Sequence, residues 1–580
     1  MTPLPNPGAP EWEGVFEPLD LRFAEVLARH DPTADAAILV AAAAASRALQ
    51  RGDICLDLET AAEVLRAPEV ALKTFTPPPL PAAEGWARHL LTSSLVSDGS
   101  QPTPLIVRDG RVYLHRYFDY QRRFAEAVRV RRKHTFDVHA AASERAIDAL
   151  FGDDPEAEPR RAAQMAVNRA LTIVSGGPGT GKTTTILKIL AVLLSVAEAP
   201  DKLKIVLAAP TGKAAARMSE SIRDGIAALA LPPHIARLIP QTAATIHRLL
   251  LSVARSDGGA AGELQADVVV IDEASMVDLA LMTRLIEMVR PDARLILLGD
   301  KDQLASVQAG RVLIDLVAAS GPEAPLADNV VEFTRTYRFG GAIGRLADAV
   351  REGDVEAAMA VFEEGSDAVQ WMDLQPSAII DFATEGWRTY FQHLTTPEAA
   401  LDALGRFQVL AAHRRGPYGV ESIAANVRQQ LAEKGIISKG NPWDEWFHGR
   451  AVLVTTNDQA LQLWNGDVGV ALADETGTPR VYFPAHPGDT EGVRSLGLGQ
   501  LPPVSPWWAV TIHKAQGSGF DHAVVVLPPE PSPLCTRELL YTAVTRARTR
   551  VTVISTAATL THTIATATTR ASGLTAGLFV

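Results

Sequence analysis

Residues 176–183 read Gly-Gly-Pro-Gly-Thr-Gly-Lys-Thr, and an apolar run at 268–271 leads directly into Asp272 and Glu273. Glycines at that spacing let backbone N–H groups close around phosphate oxygens, and a helix starting just after them adds favourable partial charge. Gly176, Gly177, Pro178, Gly179, Thr180, Gly181, Lys182, Thr183 and Thr184 are therefore the phosphate-binding candidates. Lys182 is expected to reach the β and γ phosphates and the Thr183 hydroxyl to ligate Mg2+. Asp272, at the end of a buried strand, suits the same metal, directly or through water, and Glu273 is placed to take a proton from the attacking water. The bland alternatives are a glycine-rich turn and two solvated loop acids. The strand–loop–helix context favours hydrolysis of a nucleoside triphosphate, taken here as ATP. Charge growing on a γ-phosphate calls for a cation that strengthens in the transition state. Arg338, in Thr336-Tyr337-Arg338, and Arg546, in Thr545-Arg546-Ala547-Arg548, are the candidates. Either one, taken alone, reads as a surface ion-pair partner.

The elements that must carry these groups follow from apolar patterning. Strands are expected at 171–174, 205–208, 268–271 and 295–298, with crossover helices at 181–197, 213–229 and 279–288. Such alternation predicts a parallel sheet covered on both faces. A second alternation has strands at 408–411, 508–512, 523–527 and 551–554, interrupted by a β-rich insertion around Asn465-Gly466-Asp467. Residues 1–130 read as mostly helical, with amphipathic stretches at 21–28, 34–49 and 61–70 and a proline-rich break at 77–81. The fold class is thus α/β, with two parallel-sheet units, a helical amino-terminal domain and a small β-rich insertion.

At 580 residues the chain exceeds one hydrophobic core. Its net charge of −12, from 67 acidic and 55 basic residues, argues against a basic surface over the whole chain but leaves room for a local nucleic-acid groove. Cys55 and Cys535 have neither metal-ligand spacing nor a disulfide framework, which fits a reducing cytoplasm. The amino terminus lacks a signal-peptide pattern, and the apolar run at 36–45 falls short of the roughly 20 residues a bilayer requires. A cytoplasmic protein is expected.

Further motifs appear in order: Gln164, Ala209-Pro210-Thr211-Gly212-Lys213-Ala214-Ala215, Thr245-Ile246-His247-Arg248, Asp272-Glu273-Ala274-Ser275-Met276 and Leu298-Gly299-Asp300-Lys301-Asp302-Gln303-Leu304. They continue with Tyr337-Arg338-Phe339, Thr511-Ile512-His513-Lys514-Ala515-Gln516-Gly517-Ser518 and Tyr541-Thr542-Ala543-Val544-Thr545-Arg546-Ala547. From about residue 160 to 575 this series resembles superfamily 1 helicases of the RecD type. The resemblance implies two RecA-like motor domains, 131–338 (with a small insertion near 252–266) and 339–438 plus 503–580, and an SH3-like insertion at 439–502. It implies that Gln164 reads adenine, that Gln303 senses the γ-phosphate and that Gly517 borders the nucleotide. Thr211, His247, Thr511, His513 and Lys514 match strand-contacting positions, although His247 or His513 alone would read as a structural histidine.

Within the family the chain is most similar to the exodeoxyribonuclease V alpha subunits, on the evidence of Gly416-Pro417-Tyr418-Gly419-Val420 and the segment from Leu463 to Gly469. That similarity implies 5′→3′ movement on single-stranded DNA and duplex unwinding. It also implies RecB-like and RecC-like partners in a heterotrimer, with any exonuclease chemistry in a partner; residues 1–130, which show no catalytic constellation, are the expected docking region for them. Double-strand break repair, homologous recombination and degradation of linear DNA are the implied roles. One departure stands out: Gly519 occupies the place of the usual motif V glutamate, and weaker nucleotide discrimination or a compensating residue is expected, with hydrolysis kept. The turn-rich stretch 256–262 is the candidate strand-separating pin. A small-molecule kinase or metabolic ATPase, a non-catalytic assembly subunit and an RNA helicase are the competing readings.

Overall fold

The computed structural model describes residues 4–579 apart from 66–77, 153, 155–156, 255–261, 337–339, 438–445 and 486–491. Residues 256–261 of the candidate pin, the 255–261 part of the 252–266 insertion and Arg338 therefore lie outside the described residues.

Two parallel sheets dominate, as the apolar runs require. The first has six strands in the order Val330–Phe333, Leu171–Gly176, Arg294–Gly299, Val268–Ile271, Ile205–Ala209, Ala244–Thr245. All five pairings are parallel. Its central strands are buried on both faces, by Lys182–Val196 on one side and Leu279–Met288 on the other. The second sheet, also parallel, runs Val369–Met372, Ala547–Ile554, Phe520–Val526, Phe407–Ala411, Ala509–Thr511. Between its strands Phe407–Ala411 and Ala509–Thr511 the chain makes the expected β-rich insertion. This is a five-stranded antiparallel sheet around Val452, Val454, Leu463, Val481 and Phe483.

The amino-terminal region is mainly helical, with Ala36–Gln50 buried along most of its length. It also holds a small sheet, Leu56–Asp57, Arg111–Leu114, Leu105–Arg108 and Val96–Ser97, which the sequence reading did not contain. The helix His115–Lys133 marks a change of core. Phe124 and Val128 pack with Leu171 and Leu295 of the first parallel sheet. Buried Arg131 donates to the carbonyls of Ile286, Val289 and Arg290, at the carboxy-terminal end of Leu279–Met288. A cation there satisfies orphan carbonyls and complements the helix dipole. The first motor core thus gathers residues from before 131: Phe118, Phe124 and Val128 of this helix, and also Ile54, Cys55, Ile106 and Tyr113.

A second difference lies at the other end. After helix Ala557–Ala565 the chain leaves the second sheet and straps onto the first. Thr568 is held by Glu538, with its backbone N–H donating at 2.9 Å. Arg570 then donates to the carbonyls of Ser306, Gln308 and Gly310 at 2.8, 3.2 and 3.0 Å. The Ala571 N–H donates to Asp53 at 2.7 Å, and its carbonyl accepts the Ile54 N–H at 2.9 Å. Helix Leu574–Phe579 docks with Leu574 and Leu578 fully buried in the first sheet's core. Residues 570–579, assigned from sequence to the second motor domain, pack on the first. Among the described residues no helix is long and apolar enough to cross a membrane.

Candidate nucleotide cleft and nucleic-acid groove

The phosphate loop begins where the buried strand Leu171–Gly176 runs out of sheet. Gly179 and Gly181 stand at φ +80° and +83°, a backbone region that costs other residues energy. Gly181 caps the helix Lys182–Val196, so that helix's free N–H groups face the loop. Lys182 Nζ donates to the carbonyls of Gly176 and, at 2.9 Å, Gly177.

Two strands away, the Asp272 N–H still pairs with the Ala208 carbonyl at 2.9 Å, and its carboxylate accepts the Glu273 N–H at 2.8 Å. Glu273 adopts φ +52°, ψ +40°, a left-handed conformation rare outside glycine. Burial first, then the Glu273 charge, hold the Asp272 carboxyl above its ordinary range, while Lys182 acts the other way.

After strand Arg294–Gly299 comes buried Asp300, whose carboxyl burial also pushes up. It accepts from Gln303 Nε2 at 3.0 Å and from the Tyr541 hydroxyl at 3.2 Å. Tyr541 belongs to the second motor domain, on helix Arg537–Val544. Its hydroxyl would lie 2.7 Å from a β-carbon at Gly177, so it reaches the phosphate loop itself. Two more bonds cross the boundary at Leu304: its N–H donates to Thr542 Oγ1 at 3.0 Å, and its carbonyl accepts Gln516 Nε2 at 3.1 Å. Arg546 is buried, with Nε bonded to the Thr542 carbonyl at 2.9 Å.

These elements enclose a cleft of about 630 Å3. Pro178, Gly179, Gly181, Lys182, Thr183, Thr184, Asp272, Glu273 and Gln303 line it from the first domain, and Gly517, Ser518 and Arg546 from the second. Gln164 lies elsewhere: on helix Glu158–Asn168 it donates to Glu144 at 3.1 Å and is not among the lining residues. A β-carbon at Gly519 would sit 3.3 Å from Arg548 Nε, so the position that departs from the family pattern abuts a guanidinium.

A separate groove of about 550 Å3 brings Thr211, Thr245, His247 and Arg248 opposite Asn457, Gln459, Gln462, Trp464 and Asn465 of the insertion. No carboxylate is among its described lining residues. Thr211 is also a helix cap, its Oγ1 accepting the Ala214 N–H at 3.2 Å. Thr511, His513 and Lys514 do not line this groove. Thr511 Oγ1 accepts the Lys514 N–H at 3.3 Å, and burial, then Arg570, keep the His513 imidazole below its usual range. Asp300, Tyr541, Thr542, Gln516 and Trp464 were not singled out as site residues from the sequence, although each lies inside a quoted motif segment.

A phosphate loop and a strand-end Asp-Glu pair on one sheet, with a buried arginine contributed to the same cleft by a second sheet, are the arrangement of the tandem-motor ATPases. The sequence comparisons carry the assignment further. Residues 12–113 match the family model for the amino-terminal domain of "RecBCD enzyme subunit RecD", residues 159–309 an AAA domain, and 506–554 a UvrD-like helicase carboxy-terminal domain. The Mycolicibacterium smegmatis protein named RecBCD enzyme subunit RecD is 39% identical over 97% of this chain and 97% of its own length. The chain belongs to the RecD family. It is also 29% identical to the Deinococcus radiodurans ATP-dependent RecD2 DNA helicase, over 76% of this chain and 55% of that longer protein. A solved Bacteroides Pif1 bound to single-stranded DNA aligns with 71% of this chain and 94% of its own, at 16% identity and a TM-score of 0.38, too low to bear on function.

Proposed function

We propose that the protein is an ATP-dependent DNA helicase that moves 5′→3′ on single-stranded DNA, working in the cytoplasm as the motor subunit of a RecBCD-type helicase–nuclease with RecB-like and RecC-like partners. The observation that carries this reading is the shared cleft: catalytic candidates from one sheet face Arg546 from the other, and Tyr541, Thr542 and Gln516 tie the two together. A small-molecule kinase needs only one such sheet.

In this reading Lys182 and the loop N–H groups bind the β and γ phosphates. Thr183 and Asp272 would hold Mg2+; an oxygen-only donor set with few protein ligands is what that ion takes, and a buried acid with a raised pKa beside a second acid favours a cation. When bound, the metal offsets charge on the phosphate oxygens. Glu273 takes the proton of the attacking water, and Gln303 orients that water. The Gln303 Oε1 is buried and, among the described residues, meets no donor, which leaves it open to accept a hydrogen from that water. Arg546, and Arg338 by resemblance, stabilise the charge that grows in transfer. Since both domains touch one nucleotide, ATP favours the closed cleft and product release the open one. Gripping DNA alternately on the two domains turns that cycle into steps. Thr211 and His247 in the groove, with Thr511, His513 and Lys514, are the proposed strand contacts.

The test compares ATP-driven unwinding of duplexes with 5′ or 3′ single-stranded tails, with Lys182→Ala as control. Opening of the 5′-tailed duplex alone, lost in the variant, supports the reading. Preference for 3′ tails overturns the polarity. DNA-stimulated ATPase with neither duplex opened would mean that unwinding requires the partner subunits.

A further inference from the structure

We propose that Trp464 is a stacking platform for a DNA base, so that the β-rich insertion forms one wall of the DNA track. This rests on the DNA-motor reading above and adds to it a base contact from a domain to which that reading gives no contact.

Trp464 lies in the insertion, yet its indole reaches the first motor domain: a β-carbon at Gly212 would fall 2.6 Å from its Cγ. Glycine at the start of helix Gly212–Ala228 is what allows the ring to sit there. The loop beneath the ring is fixed from four directions. Trp464 N–H donates to Asp467 Oδ2 at 2.7 Å and the Asp467 N–H donates back to the Trp464 carbonyl at 2.9 Å. Gly466 N–H donates to the Val454 carbonyl at 2.9 Å, and Asn465 N–H to Asn457 Oδ1 at 2.8 Å. Leu463, wholly buried, anchors the loop in the insertion's core.

Trp86, Trp387 and Trp508, which lie within cores, are at 0 to 1% exposure. Trp464 instead keeps part of its surface open and lines the groove with Thr211, His247 and Arg248. The chemistry of that groove fits a single strand. Hydroxyl, imidazole and guanidinium groups suit phosphates, and the amides of Asn457, Gln459, Gln462 and Asn465 suit base edges. Among the described residues no carboxylate lines the groove, in a chain of net charge −12, so the main repulsion is missing from these walls. An aromatic face adds affinity for any base, because every base has a π-face. A motor that must run over all sequences needs a contact of that kind.

The experiment measures affinity of the full chain for oligothymidylate and for an abasic sugar–phosphate strand of equal length, across a salt series. Trp464→Ala should weaken oligothymidylate binding about ten-fold and leave the abasic strand and the salt slope unchanged, while Trp464→Phe keeps most of the wild-type preference. Equal weakening of both strands would mean that the ring merely supports the loop, and no weakening would mean that it touches no base; either overturns the proposal. Arg248→Ala reads the groove itself, with weaker binding to both strands and a salt slope lower by about one. If Arg248→Ala and His247→Ala leave both affinities untouched, the groove is not the DNA track and the stacking proposal falls with it.

Discussion

Asp272 and Glu273 are adjacent in the chain but differ in environment. Asp272 completes the strand, with its N–H still in the sheet's hydrogen-bond pattern, whereas Glu273 sits in left-handed backbone just beyond it. A non-glycine residue there costs on the order of 1 kcal/mol. The same carboxylate that carries this strain lines the cleft with Lys182 and Gln303. Glu273→Gln keeps the shape and removes the base. It should bind ATP as before and lower turnover by about 10²–10⁴-fold, read by phosphate release alongside equilibrium nucleotide binding. Retained turnover would move proton acceptance to another group.

At the scale of elements, the informative unit is helix Arg537–Val544, which meets the first domain's Asp300 and Leu304 through Tyr541 and Thr542. Tyr541→Phe deletes one bond across the cleft, worth about 1 kcal/mol net. The expected result is a KM for ATP raised about five-fold with kcat nearly unchanged, since no group proposed for the chemistry is lost. A collapse of kcat at constant KM would instead place the hydroxyl in the reaction. This helix also shows what a sequence discloses. Strands such as Val268–Ile271 are legible because burial on both faces demands an unbroken apolar run. Ala244–Thr245, two residues at an edge, carries no such signal, and Val369–Met372 interrupts its apolar residues with Gln370. The phosphate loop is equally legible, being contiguous. The Tyr541–Asp300 bond joins residues 241 apart, and the Trp464 contact with Gly212 crosses from insertion to motor core. Only the folded chain brings such pairs together.

For the whole molecule, the strap at residues 566–579 matters most. Strand Val330–Phe333 belongs to the first sheet and helix Gly341–Glu352 to the second core, and the chain returns between Thr568, held by Glu538, and Arg570, held by the Ser306 and Gly310 carbonyls. Leu574 is fully buried against helix His115–Lys133 and the first sheet. Leu574→Ala should cost about 2–5 kcal/mol at that site and lower the midpoint of the earliest thermal transition, followed by calorimetry. An unchanged thermogram would mean that the strap bears no load.

The last helix has a practical consequence for anyone wishing to watch this motor. Phe579 is exposed, on a segment that belongs spatially to the first sheet although the chain arrives there from the second. Both native cysteines are buried, so a thiol placed at 579 is the accessible handle among the described residues. A fluorophore attached there travels with the phosphate loop. Its donor or acceptor belongs on the helix carrying Arg537, on the other side of the nucleotide cleft, because Ile54, Cys55 and Tyr113 of the amino-terminal region share the first sheet's core with the label.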